Sequence, residues 1–482
     1  MSGLVVLKLC LVNAAPNEGI DEREGRKSIA AFPPLGILYL ATILEQAGVE
    51  VALLDQAAMG STVSETAKWI EKEKPNIVGF SALASSGRMA ALLSSRVKEN
   101  DPNVTTIIGN HYATFNAERI LRKYPSVDIV VREEAEETII ELFKAFQKNE
   151  DLKKIKGIGF RNKNAVIITP DRPLIKDLNL LPFPNRKLLR IEYHSLMAGA
   201  NIAPKKFTGI ISSRGCSFGC RFCSCTTLAH NVWRARSAEN TLEELKQLAS
   251  EGYKQLVFVD DAFTLNPKRV IELCRGIRRE KLHFDWICEG RVDSCSFEML
   301  REMVAAGLKV IYFGIENANQ RILDYYHKRI TPQQAETAVR TARKAGVDVI
   351  AGSFIVGTAD ETREEIQETI NFAKRVPIDI PQFSILGAHP GNDIWNEFEA
   401  KGLLNAEEHW ETGIAVAEIA PTAVPLEEIK RTINKAFFSH VIRPQFLLGQ
   451  AARTIKSGYR MSVALSNLNR LLGISADLHQ VA

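Results

Sequence analysis

The stretch Thr208-Gly209-Ile210-Ile211-Ser212-Ser213-Arg214-Gly215-Cys216-Ser217-Phe218-Gly219-Cys220-Arg221-Phe222-Cys223 decides how the chain is read. Its first six residues read as a strand that ends in a loop. In that loop three thiols stand at C-x3-C-x2-C, with Gly215 and Gly219 beside them. This spacing lets one loop wrap a compact metal centre. Three thiolates can hold three irons of a cubane and leave the fourth open to a small molecule. Electron-transfer cubanes take four Cys ligands, so the missing fourth points to chemistry at iron. A structural zinc site is the competing assignment. It needs four N or S ligands, commonly in two separated pairs. No second C-x2-C follows at finger spacing, and His230 is the only nearby imidazole.

Beyond the loop, segments 255–259, 283–288, 310–315, 347–356 and 382–386 read as strands. Helical patterns over 241–250, 267–280, 297–306, 320–326, 332–345 and 362–375 lie between and beside them. Six β/α units predict a partial, TIM-like barrel over 201–388, with reactive groups at the strand C-termini. There the chain places Asp260-Asp261, Glu289-Gly290-Arg291-Val292-Asp293, Gly314-Ile315-Glu316-Asn317 and Gly357-Thr358-Ala359-Asp360-Glu361-Thr362. Each acid alone is equally a solvated cap or an ion-pair partner, and Thr362 suits a helix N-cap.

The cysteine run resembles the signature of radical S-adenosylmethionine (SAM) enzymes, and Phe222 before the last cysteine matches that family's habit. The strand ends resemble its Val-Asp-Asp, Arg-x-Asp, Gly-x-Glu and Gly-x-x-x-Glu-Thr stretches. The resemblance implies a [4Fe-4S] cluster on Cys216, Cys220 and Cys223, with the amine and carboxylate of SAM on the open iron. Cleavage of SAM then yields a 5′-deoxyadenosyl radical that abstracts hydrogen from a substrate. On this resemblance Asp260, Arg291 and Glu316 are SAM contacts, Arg291 offering forked donors to a carboxylate. Cys225 is either a spare thiol or a functional one beside the cluster. Trp233-Arg234-Ala235-Arg236-Ser237 resembles the subgroup's Arg-x-Arg-Ser stretch; it orders the next helix from Ser237, or Arg234 or Arg236 makes a phosphate or corrin-side contact. His389-Pro390-Gly391-Asn392 resembles the Pro-Gly-Thr that ends the family's barrel, with Asn392 in place of Thr.

Residues 1–148 alternate strand and helix, with strands expected over 5–12, 49–54, 77–81, 105–109 and 128–131. That alternation predicts a doubly wound parallel sheet with ligands at its carboxyl edge. The candidate loops are 55–60, 81–86 and 109–111, and no P-loop or G-x-G-x-x-G fingerprint is present. Pro33-Pro34-Leu35-Gly36, Asn76-Ile77-Val78-Gly79-Phe80-Ser81-Ala82, Ile107-Ile108-Gly109-Asn110-His111 and Val131-Arg132-Glu133-Glu134-Ala135-Glu136-Glu137-Thr138 resemble, in order, the cobalamin-binding domain ahead of many radical SAM modules. The resemblance implies bound cobalamin, with Asp55, Ser81 and Gly109 as contacts. Where related domains use D-x-H-x-x-G, this chain has Asp55-Gln56-Ala57-Ala58-Met59-Gly60. With Ala57 in the histidine position, cobalamin is expected without a histidine ligand. A degenerate sheet domain that binds no corrin is the alternative.

Residues 149–200 read as a linker with a hairpin-like stretch over 157–168, and 389–482 as a helical C-terminal region expected to pack across the barrel mouth. That region is basic, with Phe437, Phe438 and Phe446 interleaved, so contact with an anionic membrane surface is a second possibility. The chain of 482 residues carries a net charge of only +4, too little to indicate nucleic acid. Its start is apolar but lacks a basic region and cleavage site. With four of the eight cysteines crowded into one stretch, the reducing cytoplasm is the expected compartment. The expected activity is methylation of an unactivated carbon of a small-molecule or lipid-like substrate. An external electron donor of flavodoxin or ferredoxin type would serve it. Oxidative cyclisation with the same cofactors, and a cluster-bearing electron-transfer or sensing protein, are the rivals. A methylthiotransferase would need a second cysteine triad, and Cys10 is the only thiol before the motif.

Overall fold

The computed structural model describes residues 7–16, 32–163, 165–193, 195–197, 200–420 and 424–471. The outer ends of the first expected strand (residues 5 and 6) and of the last expected helix (residue 472) lie outside them. The chain forms two units: Met1–Ile191 with Ala406–Gly413, and Glu192–Asn405 with Ile414–Ala482.

The first unit is built on seven strands: β1 Lys8–Asn13, β2 Glu50–Asp55, β3 Ile77–Ser81, β4 Thr105–Gly109, β5 Ile129–Val131, β6 Ile158–Asn162 and β7 Ala165–Ile168. They lie in the order β2-β1-β3-β4-β5-β6-β7. β1 to β5 are parallel, and their near-continuous Leu, Ile and Val runs suit strands covered on both faces. The order reverses between β1 and β3, which sets the switch point there. Helices α1 Leu35–Gln46, α2 Val63–Glu73, α3 Gly87–Asn100, α4 His111–Lys123 and α5 Glu136–Lys148 follow the strands. No helix is expected from sequence over 111–123. Its polar composition and a break at Asn116 (φ −128°) hide a stripe of buried Tyr112, Ala113, Ala117, Ile120 and Leu121.

The hairpin read as part of a linker extends this sheet instead. β6 pairs antiparallel with β5, Val131 opposite Ile158, and β7 pairs with β6. Ile158 and Phe160 are buried in the same core as Leu142 and Phe143, and the pairing covers what would be an open edge. The segment Ala406–Gly413 also packs here. Trp410 is 3% exposed and stacks on Tyr112 at 5.8 Å between ring centroids. Glu411 accepts from Lys123, Tyr124 and Tyr112, and Arg119 Nε reaches Glu407 at 2.8 Å.

The second unit contains six parallel strands in sequence order: β8 Phe207–Ile210, β9 Gln255–Phe258, β10 Asp285–Gly290, β11 Leu308–Glu316, β12 Val349–Val356 and β13 Ile380–Ile385. Alternate residues face helices or lumen. Trp286 and Cys288 join the outer core with Leu245, Leu273, Met299 and Val339. Ile287, Val257, Val310 and Val349 fill the inner layer together with Phe207, Ile202 and Tyr459. Tyr459 comes from the C-terminal region and donates to the Ile202 carbonyl at 2.8 Å. Part of the tail therefore packs toward the strand starts, in the filled end of the barrel, rather than across the mouth.

Trp410→Ala removes a buried ring from the first unit and should cost about 3–5 kcal/mol. The expected outcome is a lower denaturant midpoint for that unit, followed by far-UV circular dichroism.

Candidate active site

The cysteine loop leaves β8 at the C-terminal end of the barrel. Gly215 has φ +83°, and a Cβ there would lie 2.3 Å from the Val232 carbonyl oxygen, so only glycine fits. The Gly215 N–H donates to Asp261 Oδ2 at 2.8 Å. Gly219 (φ +69°) turns the chain again, the Cys223 N–H donates to the Cys220 carbonyl, and the Arg221 N–H to the Tyr326 carbonyl. Arg221 also reaches Glu397 and lies over the Tyr325 ring at 4.6 Å. Phe222 packs edge-on to Tyr326 at 5.3 Å, and its carbonyl accepts from Asn392 Nδ2 at 3.2 Å. Asn392 also caps the helix Asp393–Ala400 through the Trp395 N–H, so one amide holds the cysteine loop and the helix start together.

Cys220 is buried, and Cys216 and Cys223 are half-buried. Burial pushes the Cys216 and Cys220 thiols up, while Arg291 beside both, and Lys328 beside Cys220, favour thiolate. Cys223 is held below the usual thiol range by the hydrogen bond from Cys225, whose own thiol is pushed up by that contact. Among the described residues no three Cys, His or acidic groups converge on the geometry of a single metal ion. Thiolates on separate irons of a cubane stand farther apart than ligands of one zinc. The donor set, two neighbouring cations and paired glycines fit such a cluster.

The strand ends converge on this loop. Arg291 lies over the Phe218 ring at 3.5 Å, and its fork is filled by Asp293, Nε and Nη2 each at 2.9 Å. The two donors that the sequence assigns to a ligand carboxylate go to Asp293. Glu316 is 4% exposed, with Lys328 Nζ at 2.6 Å and Ser353 Oγ at 3.3 Å. It has φ +69° beside a register shift in β11, a conformation L side chains rarely hold. Gly314 makes this possible, since a Cβ there would lie 2.5 Å from Glu316 Oε1. Lys328 was missed from sequence because no spacing marks it; twelve residues separate it from Glu316.

Asp260 is 2% exposed and accepts from Ser212 N, Ser212 Oγ and Ser213 Oγ at 2.7, 2.6 and 2.6 Å, bonds that brace the end of β8. Glu361 is likewise structural, accepting from Gly357 N, Thr358 N and Asn317, and Thr362 caps its helix with Glu365. Arg236 pairs with Glu244 and donates to the Ile211 carbonyl, ordering the helix that Ser237 caps.

Tyr312, Ser353 and Gln382 face the lumen on neighbouring strands, and Tyr312 donates to Gln382 Oε1 at 3.1 Å. Glu289 shares this mouth: solvent reaches its carboxylate, yet protein surrounds it on most sides. That partial desolvation, with the Asp261 and Glu316 carboxylates, pushes it up to about 7, against Lys328.

In the first unit, Asp55, Asn13, Ser81 and Gly109 stand in register, one per strand, across the ends of β2, β1, β3 and β4. Asp55 is fully buried; it accepts from Asn13 Nδ2 at 2.9 Å and Ala58 N at 3.1 Å, capping the short helix Gln56–Met59. Its side chain thus shapes the loop. Ser81 accepts from Asn110 Nδ2 at 3.0 Å, and Asn110 has φ +81°. Met59 and Leu83, in the loops after β2 and β3, are 52% and 49% exposed. A polar row rimmed by exposed apolar side chains fits a large planar ligand such as a corrin. No imidazole stands at Ala57, and His111 is paired with Asn110.

Residues 210–373 match the family model described as the radical SAM superfamily, and residues 27–143 the one described as a B12 binding domain. The uncharacterized methyltransferase PH0819 of Pyrococcus horikoshii is 36% identical over 445 residues, covering 92% of this chain and 94% of that protein. The chain belongs to the radical SAM superfamily. Within it, this chain is of the kind that carries a B12-binding domain. The anaerobic magnesium-protoporphyrin IX monomethyl ester cyclase of Rubrivivax gelatinosus is 26% identical, covering 90% of this chain and 81% of that protein. The cobalamin-dependent SAM radical enzyme OxsB shares the fold at TM-score 0.68 and 17% identity, over 99% of this chain and 77% of that one. Membership in this branch of the superfamily makes the chain an enzyme whose cofactors are a [4Fe-4S] cluster, SAM and cobalamin.

Two outcomes test this geometry. Lys328→Met strands a buried Glu316 and should cost about 3–5 kcal/mol of stability, largely recovered in Lys328→Met/Glu316→Gln. Glu289 titrates higher folded than unfolded, so its stabilising contribution is full below about 4.3 and is lost as pH rises through 7. Glu289→Gln should therefore flatten the fall in unfolding midpoint between those values.

Proposed function

We propose that this enzyme methylates an unactivated carbon of a small-molecule or lipid-like substrate, with Cys216, Cys220 and Cys223 as cluster ligands. When bound, the cluster, SAM and cobalamin supply the electron, the hydrogen-abstracting radical and the methyl group. An unactivated carbon is no nucleophile, so ordinary SAM methylation does not reach it. The observation that carries the proposal is the three-thiol loop at the mouth of β8, in a chain 36% identical to a methyltransferase along 92% of its length.

The residues then divide the work. Cys216, Cys220 and Cys223 would hold the cluster and leave a site on it for SAM. Arg291 and Lys328 offset the negative charge of that centre, and Phe218 on Arg291 covers one side of the loop. Glu316, fixed by Lys328, offers its second oxygen to the amine or ribose of SAM. Ser81 and Gly109 offer polar backbone and hydroxyl groups to cobalamin, while Asp55 positions the loop carrying Ala57. Electrons come from a flavodoxin- or ferredoxin-type donor, and the free cysteines suit a reducing cytoplasm.

Cyclisation without methyl transfer is the second candidate, favoured by the 26% identity to the magnesium-protoporphyrin ester cyclase along 90% of this chain. Anaerobic reconstitution with iron, sulfide and cobalamin tests both. Wild type should release 5′-deoxyadenosine from SAM and yield a product heavier by one CH2. Cys220→Ala should lose deoxyadenosine release yet keep the corrin absorption spectrum. A product without added CH2 favours cyclisation; intact cleavage in Cys220→Ala removes the cluster assignment.

A further inference from the structure

The second unit ends in three consecutive helices, Leu426–Val441, Pro444–Lys456 and Gly458–Leu471, and the polarity of the middle one is inverted. A surface helix ordinarily turns its apolar stripe to the core. Here the polar groups of the middle helix face the body of the unit. Gln450 and Arg453 reach Asp379 at 2.9 and 3.3 Å, Arg460 joins them at 3.0 Å, and Arg443 donates to the Lys374 carbonyl at 2.6 Å. Asp379 itself is buried at the start of β13. On the opposite side Leu447, Leu448 and Ile455 are 53%, 72% and 77% exposed, and no residue of this helix is buried.

The neighbouring helices bury apolar residues of their own, Ile429 and Ala436 on the first and Tyr459 on the third, yet also turn apolar side chains outward. Arg431, Lys435, Phe438 and Ile442 are exposed at helical spacing on the first, and Met461, Leu465 and Leu468 on the third. Eight large apolar side chains thus stand outward on three short, linked helices. Exposed apolar surface of this extent marks an interaction site.

Charge identifies the partner. From Ile429 to Ala476 the sequence has Lys430, Arg431, Lys435, Arg443, Arg453, Lys456, Arg460 and Arg470 and no acidic residue. A second copy on this face would set cations against cations, since Glu427 and Glu428 at the start of the first helix are already paired with Lys430 and Arg363. An acidic soluble protein would answer the charge but not the leucine and isoleucine stripes. An anionic lipid surface satisfies both, and amphipathic helices with this composition lie in its interface. No helix among the described residues is long and apolar enough to cross a membrane, so the helices would lie along it.

We infer that these helices form a peripheral docking face for an anionic bilayer. The apolar stripes enter the headgroup–acyl boundary, and Arg431, Lys435 and Lys456 meet lipid phosphates. The inference is independent of the radical chemistry.

Cosedimentation of the full chain tests it, with vesicles of pure phosphatidylcholine and of equal parts phosphatidylcholine and phosphatidylglycerol. Partitioning should favour the anionic vesicles by at least about tenfold. Lys435→Glu/Lys456→Glu should remove that preference. Leu448→Asp/Ile455→Asp should abolish binding while leaving the far-UV circular dichroism unchanged. Absent or equal binding to the two vesicles, or binding retained by both variants, would overturn the inference. So would a concentration-dependent dimer that Leu448→Asp/Ile455→Asp disperses, since that assigns the face to a second copy.

Discussion

Two adjacent carboxylates at the end of β9 hold the second unit's chemistry in place. Asp260 fastens Ser212 and Ser213, and Asp261 takes the Gly215 N–H. The cysteine loop contains little regular structure of its own, so its position is inherited from these contacts and from the glycine conformations they permit. Burial disfavours charge on Asp260, and Arg269 and the serine hydrogen bonds oppose that effect. An acid that looks like a ligand in sequence thus fixes the ground on which the thiols stand.

Around that anchor the barrel mouth gathers opposite charges at close range. Asp261, Glu289 and Glu316 face Arg291 and Lys328, with three thiols beside them. Each cation is itself restrained, Arg291 by Asp293 and Phe218, and Lys328 by Glu316. Such restraint suits a site that must present fixed charge without reorganising. The first unit follows a different plan, in which four strand ends in register make a row and the loops beyond it add apolar surface.

The architecture was legible because it rests on repeating signals. All six barrel strands and the five parallel strands of the first sheet announce themselves as short apolar runs between helical patterns. The triad of Cys216, Cys220 and Cys223 is legible because it is written in local spacing. What stayed hidden depends on convergence. Lys328 becomes significant only when a bulge in β11 turns Glu316 toward it, and Asn13 only when β1 lies between β2 and β3. Asp55 and Asp260 stand where ligand-binding acids belong, yet their neighbours' donors claim them. The helix over 111–123 escaped because Asn116 interrupts its period; the hairpin over 158–168 was legible, but not its pairing with β5, whose edge lies across the intervening helix in sequence.

The segment carrying Trp410 has a further consequence. Residues 406–413 complete the first unit although most of that unit is encoded before residue 192. The two modules are therefore not beads on a string, and one genetic crossover between them would leave the Tyr112 face without its indole. Shuffling of either half among relatives would have to carry this short excursion along, which ties the inheritance of the corrin-type sheet to that of the barrel's own tail.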